Sequence, residues 1–458
     1  MNLPDDFVKY TQGIMDGDTW QRFLKGMDEE PPVSIRLNPY KYDAARMQLP
    51  AEEKSRVEWC EQGRYLKQRP SFTLDPLLHA GAYYVQEAAS MYVTDVVRRF
   101  AAADGPLMAL DLCAAPGGKS TALRSVLPEG SLLMSNEPMR QRANILMENI
   151  QKFGHPDTIV TNSYAIDYQR SKLEFDVILC DVPCSGEGMF RKDEGAIREW
   201  SAQNVRKCAE LQRQIIADIM PCLREGGLLI YSTCTFNRHE DEENTDFIAD
   251  TFGMEKLDER HFIPGVTPTE GLYMAALRRK DSPAPSSAGN MLTAAASQKA
   301  QKAAKRRGKG NTQQPVTGAK MISRWIEGSE GYDLTMLGGR IVAVGKRWRT
   351  VFDRAQERLR VMHAGIEIGE QKGKDIIPSE CLALSTAVSR SAFASAELGR
   401  EQALQYLRRE QITLPTDTPR GYVLATYLGL PLGFAKNLGN RANNMFPQEW
   451  RIKTKREE

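Results

Sequence analysis

Short apolar runs alternate with helical stretches over residues 107–277, and this alternation limits the fold more than any other feature of the sequence. The apolar runs are too short for helices but have the usual length of buried strands. The predicted strands are residues 107–112, 131–135, 158–161, 177–180 and 228–231, and the predicted helices are residues 120–127, 140–153 and 205–223. Because strands and helices in alternation form βαβ units, the pattern predicts an α/β fold with a mainly parallel sheet.

The chain divides at a polar segment. Residues 281–320 are rich in Ser, Pro, Ala, Gln and Lys, and they contain a basic cluster at residues 305–309. A segment with few large apolar side chains cannot bury a core, so we expect a flexible basic linker. The 458 residues suffice for two or three domains. The predicted order is an N-terminal α+β extension (1–79), a catalytic domain (80–280), this linker and a C-terminal α+β region (321–458).

Composition limits where the protein works. No apolar run reaches the length of a membrane helix, and residues 1–10 lack the apolar core of a secretory signal. We therefore expect a cytoplasmic protein without a membrane partner, in which the 8 cysteines are reduced. The cysteines lack C-x-x-C spacing and only 5 histidines are present, so we expect no structural metal.

Basic charge is concentrated in the second part of the chain. Residues 1–280 carry 33 basic and 42 acidic side chains, whereas residues 281–458 carry 28 basic and 17 acidic ones. A basic region is a candidate surface for a polyanion, and a solvated basic face is the alternative. Residues 436–446 also place Lys, Arg and Asn close to aromatic residues, a mixture that suits RNA backbone and bases.

A glycine-rich loop, DLCAAPGGKS, follows the first predicted strand at residues 111–120. Its small residues let the backbone approach a ligand. The Walker pattern requires Gly where Cys113 stands, and the loop contains no G-x-G-x-x-G, so it matches neither phosphate-binding motif. Glu137 ends the second strand, where a carboxylate accepts hydrogen bonds from both ribose hydroxyls. The loop and Glu137 predict an adenosine cofactor without phosphates, S-adenosylmethionine. A phosphate-loop nucleotidase is the alternative.

Two cysteines follow later strands: Cys184 in DVPCSGEG and Cys234 in YSTC. The carboxyl ends of parallel strands meet at one edge of a sheet, so both thiols are predicted to face one pocket. Cytosine C5 is a weak nucleophile; a thiolate that adds to C6 activates it, and a second thiol can assist release. Asp181 would hold the cytosine edge. A single cysteine is more often a buried small hydrophobe, but two in strand-end motifs favour covalent chemistry.

These motifs resemble those of the Nol/Nop/Sun RNA cytosine-5 methyltransferases. Residues 111–120 resemble the family's cofactor loop, residues 181–184 its proline-cysteine motif and residues 232–234 its threonine-cysteine motif. Residues 81–91, GAYYVQEAASM, are also similar to that family. The resemblance implies a Rossmann-like S-adenosylmethionine-dependent methyltransferase domain.

The resemblance also implies roles for individual residues. Cys234 would be the nucleophile, Cys184 the thiol that assists release, and Asp181 the carboxylate that orients cytosine. Lys119 would lie near the methionine end of the cofactor or near the target base. Asn162 stands where the family often has an Asp beside adenine. The implied cofactor-binding residues are Cys113, Ala114, Ala115, Pro116, Gly117, Gly118, Lys119, Glu137, Asn162 and Asp181.

The C-terminal end implies an RNA partner. Residues 429–436 and 447–451 resemble the PUA-like RNA-binding module of one subgroup, whose members methylate cytosine in 16S ribosomal RNA of the small subunit. DNA cytosine-5 methyltransferases attack with the cysteine of the proline-cysteine motif, so the additional Cys234 favours RNA over DNA. We expect a monomer. A transfer RNA cytosine-C5 methyltransferase and a non-catalytic RNA-binding ribosome assembly factor are the alternatives. We also expect deletion of residues 321–458 to weaken RNA binding while cofactor affinity stays nearly intact.

Overall fold

The computed structural model describes residues 1, 3–101, 104–280, 318–373 and 375–454, so the predicted linker lies outside it except for residues 318–320. In these ranges the helices are α1 Asp5–Ile14, α2 Gly17–Asp28, α3 Pro76–His79, α4 Val93–Phe100, α5 Gly118–Arg124, α6 Arg140–Phe153, α7 Ala165–Ser171, α8 Glu194–Glu199, α9 Ala202–Ile219, α10 Glu242–Phe252, α11 Ala319–Ile322, α12 Arg349–Arg358, α13 Glu380–Leu384 and α14 Arg400–Leu407. In this described part of the chain, every helix is too short or too polar to cross a membrane.

The strands of the same ranges form four sheets. They are β1 Val33–Leu37, β2 Glu53–Val57, β3 Cys60–Leu66, β4 Tyr83–Val85, β5 Met108–Asp111, β6 Leu132–Asn136, β7 Thr158–Thr161, β8 Phe175–Asp181, β9 Leu223–Thr233, β10 Met254–Phe262, β11 Leu272–Arg279, β12 Tyr332–Leu337, β13 Arg340–Gly345, β14 Val361–Ala364, β15 Ile366–Lys372, β16 Asp375–Pro378, β17 Ala394–Glu397, β18 Gly421–Tyr427, β19 Leu430–Asn437 and β20 Ala442–Asn444.

The largest sheet, in the described residues, has eight strands in the order β10-β11-β9-β8-β5-β6-β7-β14. Its five central strands are parallel, and β10, β11 and β14 complete the two edges in antiparallel pairing. The α/β class and the mainly parallel sheet predicted from the sequence are therefore confirmed.

Both faces of this sheet are covered. Along β5, Met108 and Leu110 enter the core on one face, and Ala109 enters the core on the other face. Each is at most 3% exposed. Successive residues of a strand point to opposite faces, so a strand covered on both sides reads as a continuous apolar run. This explains why the apolar runs in the sequence do not alternate with polar residues.

The order of the strands reverses at β5. This strand has β6 on one side and β8 on the other, so the chain moves outward to β7 and then returns across the sheet. In open α/β sheets, ligands bind beyond the carboxyl ends of the strands at such a reversal. The loops after β5 and β8 therefore flank the expected ligand position.

The N-terminal helices support the loops that follow β8 and β9. Phe7 of α1 packs against Phe190, with ring centroids 5.1 Å apart, and Phe23 of α2 packs against Phe236, with ring centroids 5.2 Å apart. Phe236 lies two residues beyond Cys234. The N-terminal extension thus belongs to the structure around the predicted site.

The C-terminal region is not separable from the rest of the chain. Strand β14 pairs with β7 at the edge of the large sheet. Leu404 and Phe446 share one buried core with Ile35 and Leu66 of the N-terminal sheet. Deleting residues 321–458 would remove an edge strand and part of that core. The expectation that this deletion weakens RNA binding while cofactor affinity stays nearly intact remains a prediction.

The aromatic residues of this C-terminal region divide between core and surface. Phe434 and Phe446 are each 1% exposed and belong to the core. Tyr422 is partly exposed, and Lys436 Nζ lies 5.2 Å from the centre of its ring. Of these three aromatic residues, Tyr422 is the one whose ring reaches the surface.

Candidate active site

The glycine-rich loop leaves β5 at Asp111 and enters α5 at Gly118. Gly117 has a φ of 115°, a left-handed conformation that L side chains rarely adopt. A Cβ on Gly118 would lie 3.2 Å from Cε1 of Tyr84, closer than an ordinary contact. Gly117 is therefore required by the backbone, and Gly118 leaves little room for a side chain beside Tyr84. The loop, residues 84–87 and Asp181 line one cleft, here called the cofactor cleft.

Glu137 lies at the carboxyl end of β6. Its side chain is 2% exposed, and its Oε2 lies 3.3 Å from Arg142 Nη1. The Nδ2 of Asn162 donates hydrogen bonds to the backbone oxygens of Glu137 and Pro138, each at 2.8 Å. Asn162 thus fixes the segment that carries Glu137. Its contact with adenine stays a prediction.

The two cysteines singled out in the sequence lie side by side. Their Sγ atoms are 2.9 Å apart, and the backbone N–H of Cys234 donates to Sγ of Cys184 at 3.3 Å. The adjacent Cys234 thiol and then burial raise the pKa of Cys184 well above its usual range. Cys184 therefore keeps its proton at neutral pH.

Asp181 is held from both sides at the end of β8. Its Oδ2 accepts a hydrogen bond from Lys119 Nζ at 2.9 Å, and its Oδ1 accepts one from Ser232 Oγ at 2.7 Å. Burial by itself would lower the pKa of Lys119, but the Asp181 carboxylate outweighs it, so the pKa of Lys119 is raised. Asp181 therefore has a fixed position, and the charged Lys119 lies beside it where the strand order reverses.

The cleft around the thiols, here called the thiol cleft, continues directly into the cofactor cleft. The two share Glu87, Ser90, Cys113, Lys119 and Asp181. The thiol cleft also contains both reactive cysteines. Such an arrangement lets a group bound in one cleft be transferred to a group bound in the other.

Two buried carboxylates join the loops that carry the thiols. Glu187 accepts a hydrogen bond from the backbone N–H of Phe236 at 2.8 Å, and Glu240 accepts one from the backbone N–H of Ser185 at 3.0 Å. Each carboxylate lies on one loop and its donor on the other. Sequence reasoning missed both because a loop glutamate is usually solvated; the position of Glu187 inside the DVPCSGEG motif was the available signal.

Arg36 links the N-terminal sheet to the cofactor loop. It lies on β1, is fully buried, and donates from Nε to Gln86 at 2.7 Å and from Nη2 to Oγ1 of Thr121 at 2.5 Å. Its Nη2 also lies 3.4 Å from the backbone oxygen of Gly118. No motif in the sequence predicted that a residue of this segment would contact the cofactor loop.

Three family models match separate parts of the chain. The model described as 16S rRNA methyltransferase RsmB/F matches residues 102–278. The model for the N-terminal domain of 16S rRNA methyltransferase RsmF matches residues 3–88, and the model for the methyltransferase RsmF PUA domain matches residues 393–452. The chain belongs to the Nol/Nop/Sun family. The resemblance stated from the motifs is thereby confirmed.

Relatives within the Nol/Nop/Sun family match nearly the whole chain. Ribosomal RNA small subunit methyltransferase F of Aliivibrio fischeri is 29% identical over 482 residues, which cover 98% of this chain and 97% of the relative. The protein of the same name from Escherichia coli is 28% identical over 488 residues, which cover 98% of this chain and 96% of the relative. The likeness includes both terminal regions as well as the methyltransferase domain.

Solved structures support the fold. A methyltransferase homolog protein from Pyrococcus horikoshii superimposes with a TM-score of 0.53 at 24% identity, over 60% of this chain and 95% of that chain. NSun6 from Pyrococcus horikoshii, solved with SFG, gives a TM-score of 0.53 at 18% identity, over 61% of this chain and 99% of that chain. At these identities the likeness concerns the fold alone, which is that of a Rossmann-like methyltransferase.

As a Nol/Nop/Sun methyltransferase, the chain uses S-adenosylmethionine, and the cofactor cleft fits this molecule. Among the described residues, Asp111 Oδ1 and Gln86 Nε2 line the cleft, are buried and lack a hydrogen-bond partner. Burial raises the pKa of Asp111 to about 7. An acceptor and a donor in one cleft suit the ammonium and carboxylate groups of a methionine moiety. The predicted contact of Glu137 with the ribose stays a prediction.

Proposed function

We propose that the chain methylates C5 of a cytosine in 16S ribosomal RNA of the small subunit through a covalent bond between Cys234 and C6. The proposal depends on one observation above all: the two thiols, 2.9 Å apart, lie in a cleft that continues into the cofactor cleft. The relatives named ribosomal RNA small subunit methyltransferase F support the choice of RNA.

The thiol roles follow from their environments. Cys184 keeps its proton because its pKa is raised, which suits the thiol that assists release and leaves the attack on C6 to Cys234. Attack forms the S–C6 bond and makes C5 nucleophilic. Bound S-adenosylmethionine supplies an electrophilic methyl group. After methylation the C5 proton passes to solvent, its electron pair restores the C5–C6 double bond, and the S–C6 bond breaks. The Cys184 thiol, in contact with the departing sulfur, donates its proton to that sulfur and so assists release.

Asp181 and Lys119 position the base and its charge. A carboxylate held by Ser232 and Lys119 presents a fixed acceptor to the exocyclic amine of cytosine. The Lys119 ammonium stabilises negative charge that develops on the pyrimidine after thiolate addition. The target base must leave its stack to reach this cleft, at a cost of a few kcal/mol that single-stranded or distorted RNA reduces.

The thiol assignment is tested by trapping the covalent adduct. Labelled 16S ribosomal RNA is incubated with full-length protein and S-adenosylmethionine, and the products are separated by denaturing gel electrophoresis. We expect Cys184→Ala to accumulate a protein–RNA band because release is slowed. We expect Cys234→Ala to form neither the band nor 5-methylcytosine, because the S–C6 bond cannot form.

Cys208→Ala is the matched control, since Cys208 is partly buried on α9 and does not line the thiol cleft. This variant should methylate RNA and release it like the native protein. A band that accumulates with Cys234→Ala and not with Cys184→Ala would reverse the two roles. Absence of any adduct together with undiminished methylation in Cys234→Ala would refute covalent catalysis.

The substrate is tested by bisulfite mapping of ribosomal and transfer RNA from cells with and without the protein. We expect the protein-dependent signal in 16S ribosomal RNA. A signal confined to transfer RNA would show a transfer RNA methyltransferase. Loss of subunit assembly with no change in any 5-methylcytosine would show a non-catalytic assembly factor. We further propose that the protein acts in the cytoplasm as a monomer, for which light scattering should give the mass of one chain.

A further inference from the structure

Three potential metal ligands meet between α10 and β10, outside both clefts. Asp241 and Glu242 lie at the amino end of α10, and His261 lies on β10. One ligand atom from each lies within 4.8 Å of the others. Two atoms bound to one small cation are separated by about 3 to 4 Å when each bond is about 2 Å long. Small movements of these side chains would therefore bring their ligand atoms to one cation.

The buried carboxylate of Asp241 is only half satisfied. It is fully buried, and its Oδ1 accepts hydrogen bonds from Thr233 Oγ1 at 2.5 Å and Thr235 Oγ1 at 2.9 Å. Its Oδ2 has no hydrogen-bond partner among the described residues and lies 4.0 Å from His261 Nδ1. A buried acceptor without a partner is destabilising, and a bound cation would remove that penalty.

Glu242 adds a second unsatisfied oxygen. Its Oε1 lies 3.1 Å from His261 Nε2, whereas its Oε2 is buried and lacks a partner in the described part of the chain. Two basic side chains lie in the surroundings of the cluster. Arg238 acts on Glu242 electrostatically, and Lys256 pairs with Asp246 at 2.6 Å and lies 3.6 Å from Glu259.

We propose that Asp241, Glu242 and His261 bind one divalent transition-metal cation, such as Zn²⁺ or Mn²⁺. Carboxylate oxygens combined with an imidazole nitrogen are typical ligands of these ions, whereas Mg²⁺ and Ca²⁺ prefer oxygen alone. The ion would reinforce the catalytic loop, because the same Asp241 carboxylate holds Thr233 and Thr235 on either side of Cys234. Binding of the ion is independent of the function proposed above, whereas its effect on the loop of Cys234 rests on that function.

The test measures metal binding by the full-length protein after treatment with a chelator. Isothermal titration with Mn²⁺ is expected to show one site per chain, and Mg²⁺ is expected to bind at least about tenfold more weakly. Co²⁺ then reports the ligands, because a thiolate charge-transfer band appears only if sulfur binds the ion. We expect no such band, which separates this site from the Cys184–Cys234 pair.

The chain provides a matched control for the histidine. His239 pairs with Glu243 at 2.8 Å, and its side chain is more exposed than that of His261. We expect His261→Ala and Glu242→Gln to weaken Mn²⁺ binding at least about tenfold and His239→Ala to leave it unchanged. Circular dichroism checks that each variant is folded.

Three outcomes would overturn the proposal. They are the absence of a stoichiometric Mn²⁺ or Zn²⁺ site in the native protein, equal binding by His261→Ala and His239→Ala, and a Co²⁺ spectrum with a thiolate band that disappears in Cys234→Ala. The first outcome would mean that Asp241 is neutralised by protonation, which burial favours by raising its pKa.

Discussion

Asp181 is one of the residues at which the two clefts meet, and we expect its charge to matter more than its shape. Asp181→Asn keeps the side-chain size but removes the charge that pairs with Lys119 and, under the proposed function, the acceptor for cytosine. We expect kcat to fall by about 10²- to 10⁴-fold, with a much smaller change in S-adenosylmethionine affinity. Single-turnover methylation and cofactor titration measure the two effects separately.

The control is Ser232→Ala, which removes one hydrogen bond to Asp181 and leaves the charge pair. It should lower kcat by about tenfold or less, in line with about 1 kcal/mol for one hydrogen bond. Equal losses in Asp181→Asn and Ser232→Ala would contradict a role for the charge.

Arg36 is the subject of a second prediction at the level of single residues. It supports Thr121 and Gly118 from beneath the cofactor loop, so we expect Arg36→Met to weaken S-adenosylmethionine binding about tenfold or more while kcat at saturating cofactor changes little. Arg36→Lys should restore only part of the affinity, because lysine lacks the planar fork that reaches both partners.

Arg56 offers the comparison, since it is exposed on the same N-terminal sheet. Arg56→Met should bind the cofactor as the native protein does. Thermal unfolding with and without S-adenosylmethionine separates a local effect from general destabilisation. Arg36→Met could unfold at a lower temperature and still show the native increase in unfolding temperature when S-adenosylmethionine is added. That result would mean that Arg36 supports the fold and not the cofactor loop.

At the level of secondary-structure elements, the loops after β8 and β9 depend on buried carboxylates with raised pKa values. Burial raises the pKa of Glu187 from 4.5 to about 7. The folded chain therefore binds this proton more tightly than the unfolded chain. The resulting stabilisation is complete below about pH 4.5 and is lost as the pH rises to about 7.

Between pH 4.5 and 7.5 we expect the free energy of unfolding to fall in the native protein. This fall should exceed the fall in Glu187→Gln by up to about 3 kcal/mol. Urea unfolding at several pH values measures this difference. Glu194→Gln, which changes an exposed carboxylate on α8, should follow the native profile. Parallel profiles for the native protein and Glu187→Gln would show that Glu187 does not titrate in this range.

At the level of the whole molecule, RNA affinity is expected to depend on basic residues at the exposed C-terminal surface. Lys436 and Arg441 lie on and next to strand β19, and both reach solvent. Replacing both with Ala should weaken RNA binding and reduce the slope of log K against log salt by about 2, because two phosphate contacts are lost. Cofactor affinity should not change.

The control for this surface is the double variant Arg354→Ala and Arg358→Ala on α12. Arg354 donates to the backbone oxygen of Lys172, just before β8 begins, at the end of the sheet opposite the clefts. The double variant Arg354→Ala and Arg358→Ala should leave RNA affinity and its salt dependence unchanged. Equal losses in both double variants would mean that RNA binding reflects net charge and not this surface.

The sequence by itself determined the central sheet and the chemistry at its edge. A strand buried on both faces needs an apolar run, and the glycine-rich turn after β5 needs residues that tolerate its backbone, so both leave local signals. The same local patterns predicted the ends of strands as the positions of Asp181, Cys184 and Cys234. The domain boundaries and the site roles drawn from the sequence stay predictions.

Only the tertiary structure decided how distant segments meet. Three contacts join residues that are separated in the chain: the 2.9 Å contact of the thiols, the support of the cofactor loop by Arg36, and the cluster of Asp241, Glu242 and His261. The core shared by the N-terminal and C-terminal regions does so as well. Such contacts leave no periodic pattern, because side chains that meet across a fold are constrained by packing and charge and not by their spacing in the sequence.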